Sequence, residues 1–496
     1  MKELLGAAAM KEADKRTIQN IGVPSLVLME RAALSVFEEI KKRRQGQIKA
    51  LVFAGTGNNG ADGLAVARML RLAGDDVRVT VTGNRAHATE EWLTQYKILQ
   101  KLNVPVTPEL PDREQLHMEH TDLIVDAMLG IGLARELQGK TAAAVRLIND
   151  SSAYVCAVDI PTGINADSGA VMGCAVKADL TVTFAYKKIG HVLYPGTEYS
   201  GETIVSDIGI LPLVQDSKDQ RIFALEEDDL DVLKKRPADG HKGTFGRVLV
   251  VAGSFDMAGA AVLSGSAAYR SGAGLVQILS PECNRQILQT SVPEAILTSY
   301  RENEFSPEKM DAMLSAASSV VIGPGLGICE QSRRFLRYII QYSKKPVVID
   351  ADGLNMLAEK KALMDQLTPN HILTPHMGEM SRLTGKAISE IKADPVKAAA
   401  DFVARFPVTL VLKDARTVIA SAAGSDICIN TCGNSGMATG GSGDVLSGVI
   451  GGLLAQKFNP SRAACLGVLM HACAGDRAAQ RLGERAVMAG DILRSL

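Results

Sequence analysis

The stretch Gly433-Asn434-Ser435-Gly436-Met437-Ala438-Thr439-Gly440-Gly441-Ser442-Gly443-Asp444 organises the second half of this 496-residue chain. It leads directly into an apolar run of small residues, 445–455, which predicts a buried helix. The glycines leave backbone N–H groups unshielded at the N-terminus of that helix, where the aligned peptide dipoles also favour negative charge. We therefore expect a phosphate to bind at Gly441, Ser442 and Gly443.

Asp444 stands at the mouth of this predicted helix. The helix dipole is expected to keep its carboxylate ionised, so that it can accept a proton from a substrate hydroxyl facing a nucleotide phosphate. The alternative is an ordinary helix cap, with the glycines forming only a tight turn.

The composition describes a globular chain with no general affinity for polyanions. Its formal net charge of −1 gives no electrostatic case for nucleic acid or an anionic membrane. The length predicts two or more domains. Eight cysteines show no CxxC or zinc-type spacing and are expected to stay reduced. With neither a secretory apolar region nor a membrane-length run, the chain is expected to be cytoplasmic.

The first half begins its α/β pattern with a buried strand at residues 48–54. The loop GTGNNGADG, residues 55–63, then leads into a helix. Its letters match the GxGxxG of a Rossmann dinucleotide site. A Rossmann fold would also place an acidic residue at the end of the next strand, where it binds the ribose. Here the next predicted strand, residues 76–82, is followed by Gly83 and Asn84, neither of which is acidic. A conventional NAD-dependent dehydrogenase is therefore disfavoured.

Further elements continue this parallel pattern. Helices are predicted at residues 25–44 and 90–102, and strands at 123–128, 154–160, 180–185 and 203–205. Ligands of open α/β sheets bind outside the carboxyl ends of the strands. Three such ends carry polar residues: Asn58-Asn59, Asp126 and Asp159.

The strings GNNGADG, DAMLGIGL and VDIPTGINADSG, together with Met10, Asp14 and Leu28-Met29-Glu30, make residues 1–213 resemble the YjeF N-terminal domain. This is the NAD(P)H-hydrate epimerase family, and the resemblance implies a Rossmann-like αβα sandwich. It also implies that a hydrated NAD(P)H is contacted by Asn58, Asn59, Gly60, Ala61, Asp62, Gly130, Ile131, Gly132, Leu133, Ala134, Arg135 and Glu136.

The same resemblance implies that Asp159 contacts the reacting nicotinamide end as a catalytic residue. A carboxylate beside the hydrated ring can move a proton as the C6 centre opens and recloses. The resemblance further implies that Asn59, Asp126 and Thr162 hold a potassium ion, consistent with the preference of hard cations for oxygen ligands. Members of the family also occur as binding modules without catalysis.

A change of composition after residue 213 marks the domain boundary. Residues 213–246 are dense in charge, and we place a linker at 214–221 and the second domain at 222–496. The second domain is predicted to be parallel α/β again, with strands at 247–252, 275–279, 320–322, 346–349 and 409–412 and a helix at 259–273. The glycine motifs of the two halves do not align as a repeat.

The strings HKGTFG, TPHMGE and GNSGMATGGSGD make residues 222–496 resemble the ADP- or ATP-dependent NAD(P)H-hydrate dehydratases of ribokinase-like fold. The resemblance implies substrate contacts from Ala260, Gly327, His376 and Asp444, with Asp444 catalytic. It implies nucleotide contacts from Lys413, Asp414, Ala415, Arg416 and Thr417. Relatives commonly have Gly where this chain has Asp414.

The two resemblances together predict a bifunctional enzyme that repairs hydrated NADH and NADPH. One half would interconvert the R and S hydrates. The other would dehydrate the S form, consuming ADP or ATP and releasing AMP or ADP with phosphate, with Mg²⁺ bridging the nucleotide phosphates. The alternative is a ribokinase-like small-molecule kinase with a non-catalytic nucleotide-binding first half. A homo-oligomer is expected by association.

Overall fold

The computed structural model describes residues 1–112, 121–212, 220–233, 235–302, 304–424 and 426–496. The chain divides into two compact units, one contained in Glu3–Ser217 and the other in Lys218–Leu496 together with Met1–Lys2. Residues 213–219, which include most of the predicted linker, lie outside the described residues. Among the described helices, none combines the length and apolar character needed to cross a lipid bilayer.

A sheet of seven parallel strands forms the centre of the first unit. Side by side, the strands are β4 (Val106–Thr107), β3 (Asp76–Val81), β2 (Lys49–Ala54), β5 (Leu123–Ala127), β6 (Tyr154–Val158), β7 (Leu180–Phe184) and β9 (Glu202–Ser206). Two short strands, β1 (Lys2–Leu5) and β8 (Lys187–Lys188), pair in parallel with each other. The helices are α1 (Ala7–Lys15), α2 (Ser25–Arg43), α3 (Asn58–Leu72), α4 (Glu90–Lys101), α5 (Gly139–Asn149) and α6 (Gly196–Ser200).

Helices cover both faces of this sheet, as the alternation along β2 shows. Ala50, Val52 and Ala54 belong to a hydrophobic core that they share with residues of α2, α3 and α4. Leu51 and Phe53 belong to a second core, shared with α5. Because both faces are buried, the strand is a continuous apolar run rather than an alternating one. This is the predicted αβα sandwich.

The loop after β2 is held in place by the single tryptophan of the chain. Trp92 on α4 is fully buried, and its indole Nε1 donates a hydrogen bond of 2.8 Å to the carbonyl of Gly55. The loop then enters α3, whose N-cap is Gly57. Residues 58–62 are thus presented at the carboxyl end of β2.

The second unit is built on another largely parallel sheet. In order, its strands are β13 (Ile296–Tyr300), β12 (Leu275–Pro281), β11 (Arg247–Val251), β14 (Ser319–Ile322), β15 (Val347–Ile349), β16 (His371–Leu373), β17 (Thr409–Leu412), β18 (Val418–Ser421), β19 (Ile427–Asn430) and β10 (Ile222–Leu225). The pairs β17–β18 and β18–β19 are antiparallel, and the other pairs are parallel.

The helices of this unit range from one turn to six. They are α7 (Ala258–Arg270), α8 (Arg285–Ser291), α9 (Pro307–Ala316), α10 (Glu330–Tyr342), α11 (Asp352–Glu359), α12 (Lys361–Met364), α13 (Met377–Thr384), α14 (Ile388–Ala393), α15 (Pro395–Arg405), α16 (Ser442–Ala455), α17 (Pro460–Leu482) and α18 (Ala489–Arg494). The mixed α/β layers agree with the predicted ribokinase-like class.

Helix α16 is the buried helix predicted from the small-residue run. Its glycines allow a close approach to α7, since a Cβ atom at Gly448 would lie 2.2 Å from the carbonyl oxygen of Ser264. A Cβ atom at Gly452 would lie 2.0 Å from Ser271 Oγ. The helix begins at Ser442, three residues before the predicted start, so Asp444 lies within its first turn.

Replacing Gly323 with Ala is expected to destabilise the second unit. Gly323 follows β14 with φ of 121°, and a Cβ atom there would lie 1.9 Å from the carbonyl oxygen of Asp350. Backbone strain and the forced displacement together should lower the free energy of unfolding by about 2 kcal/mol or more. Urea unfolding measures the change. The matched control is Gly424→Ala, where the added atom meets open space; equal losses in both variants would contradict the steric argument.

Candidate active sites

A cavity of about 470 Å³ opens at the carboxyl ends of the strands of the first unit. It brings together three loops that are far apart in sequence: the turn after β2, the loop after β5 and the end of β6. The predicted substrate residues that line it are Asn58, Asn59, Ala61, Asp62, Gly130, Ile131, Gly132 and Asp159.

The remaining predicted contacts of this unit lie elsewhere. Gly60 is buried in the first turn of α3. Leu133, Ala134, Arg135 and Glu136 follow the cavity lining in a largely exposed loop before α5. Their contact with a substrate stays a prediction.

Asp159 is held at the cavity by an unusual backbone and a buried cation. It directly follows β6 and has φ of 66°, a conformation that costs a non-glycine residue about 1–3 kcal/mol and is concentrated at functional sites. Its Oδ1 accepts hydrogen bonds from Lys188 Nζ at 2.5 Å and from Thr183 Oγ1 at 3.0 Å. Burial opposes ionisation, but the fully buried Lys188 ammonium outweighs it and lowers the pKa of Asp159.

Two other carboxyl groups line the same cavity with pKa values shifted the opposite way. Burial, followed by the charge of Asp159, raises the pKa of Asp14 to about 6. Burial also raises the pKa of Asp62 well above its usual range, with Asp159 and Asp14 adding to the shift. Among the acidic groups that line the cavity, Asp159 therefore has a lowered pKa, and Asp14 and Asp62 have raised pKa values.

Lys188 was missed at the sequence level, and Asp14 was noted only as part of a family string. A lysine in a KK pair at residues 187–188 carries no signal of burial, because lysine is nearly always exposed. Its role arises from β8, which places it beside a residue 29 positions earlier.

The predicted potassium ligands gather beside the cavity. Asp126, fully buried at the end of β5, accepts hydrogen bonds of 2.7 Å from the backbone N–H and the hydroxyl of Thr162. Burial raises the pKa of Asp126 to about 6, although these hydrogen bonds oppose the shift. The Nδ2 atom of Asn59 is buried and finds no hydrogen-bond partner among the described residues. An amide, a carboxylate and a hydroxyl match the oxygen ligands that a hard cation prefers.

The second unit gathers its candidate residues at the carboxyl ends of β14, β15 and β17. Lys413, the first residue after β17, makes an ion pair of 2.8 Å with the buried Asp350 after β15. A Cβ atom at Gly443 would lie 3.3 Å from Lys413 Nζ, which places the cation against the start of α16. Ser447 on the next turn of α16 donates a hydrogen bond to Asp350. The phosphate loop and the charged pair thus form one site.

Asp444 lies in the first turn of α16, beside N–H groups that have no acceptor within the helix. Burial, followed by the charge of Asp350, raises its pKa to about 7, while Lys413 opposes the shift. The expectation that the helix dipole keeps this carboxylate ionised is therefore wrong, because burial and the charge of Asp350 leave it only partly ionised near neutral pH. A pKa near neutrality suits a group that must accept a proton.

His376 caps helix α13 at the edge of the same site. Its ring nitrogen Nδ1 accepts hydrogen bonds from the backbone N–H groups of Gly378 and Glu379. The backbone N–H of His376 donates a hydrogen bond of 2.8 Å to Glu379 Oε2. Burial raises the pKa of Glu379 to about 7. The remaining ring nitrogen of His376 lies 3.5 Å from Glu379 Oε1, and the side chain is half exposed. It is available to a ligand.

Ala260 and Gly327, the other predicted substrate contacts, flank the loop after β14. A Cβ atom at Gly325 would lie 2.6 Å from the Cβ of Ala260. The N–H of Gly327 donates a hydrogen bond of 2.8 Å to Asp352, which acts electrostatically on Asp444. Gly327 therefore borders the carboxylates of the site, and Ala260 packs against the same loop.

The five residues of the predicted nucleotide loop, 413–417, differ in their contacts within the protein. Asp414 pairs with Lys392 at 3.6 Å, and Arg416 donates to the carbonyl of Thr431 at 2.7 Å. Thr417 donates weakly back to the Asp414 carbonyl at 3.4 Å, and Ala415 completes the turn between them. Of these five residues, only Lys413 is directed at the start of α16. Ser442, one of the predicted phosphate-binding residues, also has a partner within the protein: its hydroxyl oxygen lies 3.3 Å from Nε2 of His471 on α17.

Comparison with known proteins gives matches to both halves. The family model described as NAD(P)H-hydrate dehydratase matches residues 248–496, and that described as YjeF-related protein N-terminus matches residues 25–190. A bifunctional NAD(P)H-hydrate repair enzyme from Moorella thermoacetica is 39% identical, covering 99% of this chain and 95% of its own. Its Escherichia coli counterpart is 35% identical, covering 98% of this chain and 92% of its own.

A solved structure supports the fold of the second unit. A ribokinase-like superfamily protein from Enterococcus faecalis is 29% identical, with a TM-score of 0.50, covering 58% of this chain and 96% of that protein. The fold and its phosphate loop thus define an α/β enzyme with a ribokinase-like unit. Because the two relatives match nearly its whole length, the chain belongs to the family of bifunctional NAD(P)H-hydrate repair enzymes. This membership supports repair over the small-molecule kinase considered above.

Proposed function

We propose that this chain epimerises the R and S hydrates of NADH and NADPH in residues 1–213 and dehydrates the S hydrate in residues 222–496. The observation that best supports this function is the site at the start of α16. There, Asp444 lies beside the N-terminal N–H groups of the helix and the Lys413 cation. A base beside a polyphosphate site can activate a substrate hydroxyl for phosphoryl transfer.

The dehydration we propose turns a poor leaving group into a good one. Asp444 accepts the proton of the C6 hydroxyl as its oxygen attacks the terminal phosphorus of ADP or ATP. The bond from that phosphorus to the bridging oxygen breaks, which releases AMP or ADP. The N–H groups of Gly441, Ser442 and Gly443 stabilise charge on the phosphoryl group. Phosphate then leaves C6, loss of the C5 proton restores the dihydropyridine, and His376 contacts the substrate.

Magnesium fits this site as a companion of the nucleotide. The ion usually keeps several waters and binds through one or two carboxylates together with substrate phosphates. Asp350, Asp352 and Asp444 gather there, and the like charges of Asp350 and Asp352 contribute to the raised pKa of Asp444. A bound cation would relieve that repulsion and supply charge neutralisation to the phosphates.

The epimerase site we propose is the 470 Å³ cavity of the first unit, with Asp159 as the ionised base. Potassium would be held by Asn59, Asp126 and Thr162, whose amide, carboxylate and hydroxyl oxygens are the ligands that a hard cation prefers. The ion would fix the loops after β5 and β6 relative to α3.

The proposed function also includes a cellular location and an oligomeric state. We infer a cytoplasmic homo-oligomer whose ligands are hydrated NADH or NADPH and ADP or ATP. Light scattering of the purified protein, coupled to size-exclusion chromatography, measures its mass; a monomer would contradict the assembly.

The test of the function is a repair assay with each nucleotide in turn. The protein is incubated with hydrated NADH and either ADP or ATP, and the NADH absorbance and free phosphate are followed. We expect both to rise together. A stable phosphorylated product without recovery of NADH would instead indicate a kinase.

Replacing Asp159 with Asn is expected to lower kcat for epimer exchange by about 100-fold or more, because an amide cannot accept the proton. Chromatography of the two hydrates, starting from one purified epimer, measures the exchange. Dehydration of the S hydrate is expected to continue at the normal rate because it takes place in the second unit, and the urea unfolding transition of the first unit shows whether the variant folds. Exchange at the normal rate would contradict the role of Asp159.

A further inference from the structure

The cavity of the first unit holds two carboxyl groups in contrasting environments. Asp159, after β6, is held by Lys188 in its ionised form. Asp14, on α1, lines the same cavity without a hydrogen-bonded cation among its described contacts, and burial favours its neutral form. Pairs of titratable groups whose environments push their pKa values apart are the usual arrangement of a general base with a general acid.

We propose that Asp14 is a second catalytic residue of the epimerase site, the proton donor to the ring nitrogen N1 of the hydrated nicotinamide. This inference rests on the proposed epimerase function and names the acid that works opposite Asp159. The geometry that carries it is the shared cavity: α1 places one carboxyl group and β6 the other around the same space.

Ring opening and reclosure balance with these two groups alone. Asp159 takes the proton of the C6 hydroxyl, the C6–N1 bond breaks as C6 becomes a carbonyl, and Asp14 delivers its proton to N1. Rotation about C5–C6 exposes the other face of the carbonyl. N1 then attacks C6 and returns its proton to Asp14, while Asp159 returns its proton to the oxygen. No co-reactant is consumed, and both carboxyl groups regain their starting states.

Several other charged groups line the cavity and set the state of Asp14. Lys11 lies on the same helix, Asp62 on α3, Glu91 on α4 and Lys188 on β8. The charge of Asp159 favours the neutral form of Asp14, and the charge of Lys188 favours the ionised form. These opposing effects leave the pKa of Asp14 at about 6, within reach of both states.

Asp62 is the competing candidate for the acid. Burial raises its pKa well above its usual range, as burial also raises the pKa of Asp14. Its electrostatic neighbours are Asp159, Asp14 and Glu91, whereas Asp14 is also influenced by Lys188. Asp14 is therefore the carboxyl group on which both members of the Asp159–Lys188 pair act.

The test compares Asp14→Asn with wild type and with Asp62→Asn by epimer exchange across pH. In wild type, kcat/KM should fall as pH rises through about 6, because Asp14 must be protonated. This fall is the limb of the pH profile on which the variants are compared. Asp14→Asn should lower kcat by about 100-fold, with a smaller change in KM, and remove that limb of the profile. Asp62→Asn should alter KM but keep the limb, and Asp14→Glu should keep both the limb and measurable exchange.

The outcomes separate this inference from the proposed function. Absence of exchange in wild type overturns the epimerase function. Exchange in wild type with an unchanged kcat or an unchanged pH limb in Asp14→Asn overturns the role of Asp14 alone. Loss of the limb in Asp62→Asn, with its retention in Asp14→Asn, assigns the acid to Asp62. The circular dichroism spectrum and urea unfolding show whether the first unit of each variant is folded, and dehydration of the S hydrate serves as the control for the second unit.

Discussion

Asp444→Asn is expected to lower kcat for dehydration of the S hydrate by about 1,000-fold while nucleotide affinity stays close to normal. The amide cannot accept the proton of the C6 hydroxyl, and a positioned general base contributes about 10²–10⁴ in rate. The helix N–H groups and Lys413, which carry the attraction for phosphate, remain in place. NADH recovery measures the rate, and isothermal titration with ADP measures the affinity.

The pH dependence makes this prediction sharper. Because burial raises the pKa of Asp444 to about 7, kcat/KM for dehydration should rise as pH increases towards 7 and then level off. The variant should lose that rise. Asp394→Asn is the matched control, since Asp394 caps α15 through the N–H of Lys397 and Asn caps helices equally well. A fully active Asp444→Asn enzyme would refute the proposed base.

Lys188→Met is expected to destabilise the first unit by about 3–5 kcal/mol and to abolish epimer exchange. Lys188 is fully buried against Asp159, and removing one partner of a buried pair leaves the other charge uncompensated. The pKa of Asp159 should then rise, because burial is no longer opposed by the ammonium. Urea unfolding at neutral pH measures the stability.

The sign of the effect with pH follows from the lowered pKa of Asp159. The pair stabilises the wild type at neutral pH, and that contribution is lost as pH falls through the pKa of the folded state. The double variant Lys188→Met with Asp159→Asn should recover most of the stability but none of the exchange. Lys177→Met, at an exposed lysine, is the matched control. Normal stability in Lys188→Met would show that the pair is not formed as described.

Strands and glycine loops were predictable because their signals are local. The strand predicted at residues 409–412 has those bounds in the structure, whereas the helix predicted to follow the loop 55–63 already begins at Asn58, inside GTGNNGADG. The strand predicted at 154–160 ends instead at Val158, because Asp159 turns the backbone to φ of 66°. The antiparallel strands β18 and β19 were not predicted, since segments this short owe their structure to their neighbours in the sheet.

The charge states at the two sites were less predictable than the residues. A helix N-terminus alone indicated an ionised Asp444, but burial and the nearby Asp350 raise its pKa to about 7. In the first unit, Asp159 was placed by its family string, whereas its pairing with Lys188 depends on how β6 and β8 are arranged. Electrostatic effects depend on distance and burial, and neither is written in the order of residues.

The sequence by itself determined the α/β class, the glycine loop before α16 and the family, because glycine spacing and apolar runs act over a few neighbouring residues. Only the tertiary structure decided which buried groups share a cavity and which of them carry charge. Asp14, Asp159 and Lys188 lie on three different elements, so their partnership exists only once the sheet and its covering helices have brought those elements together.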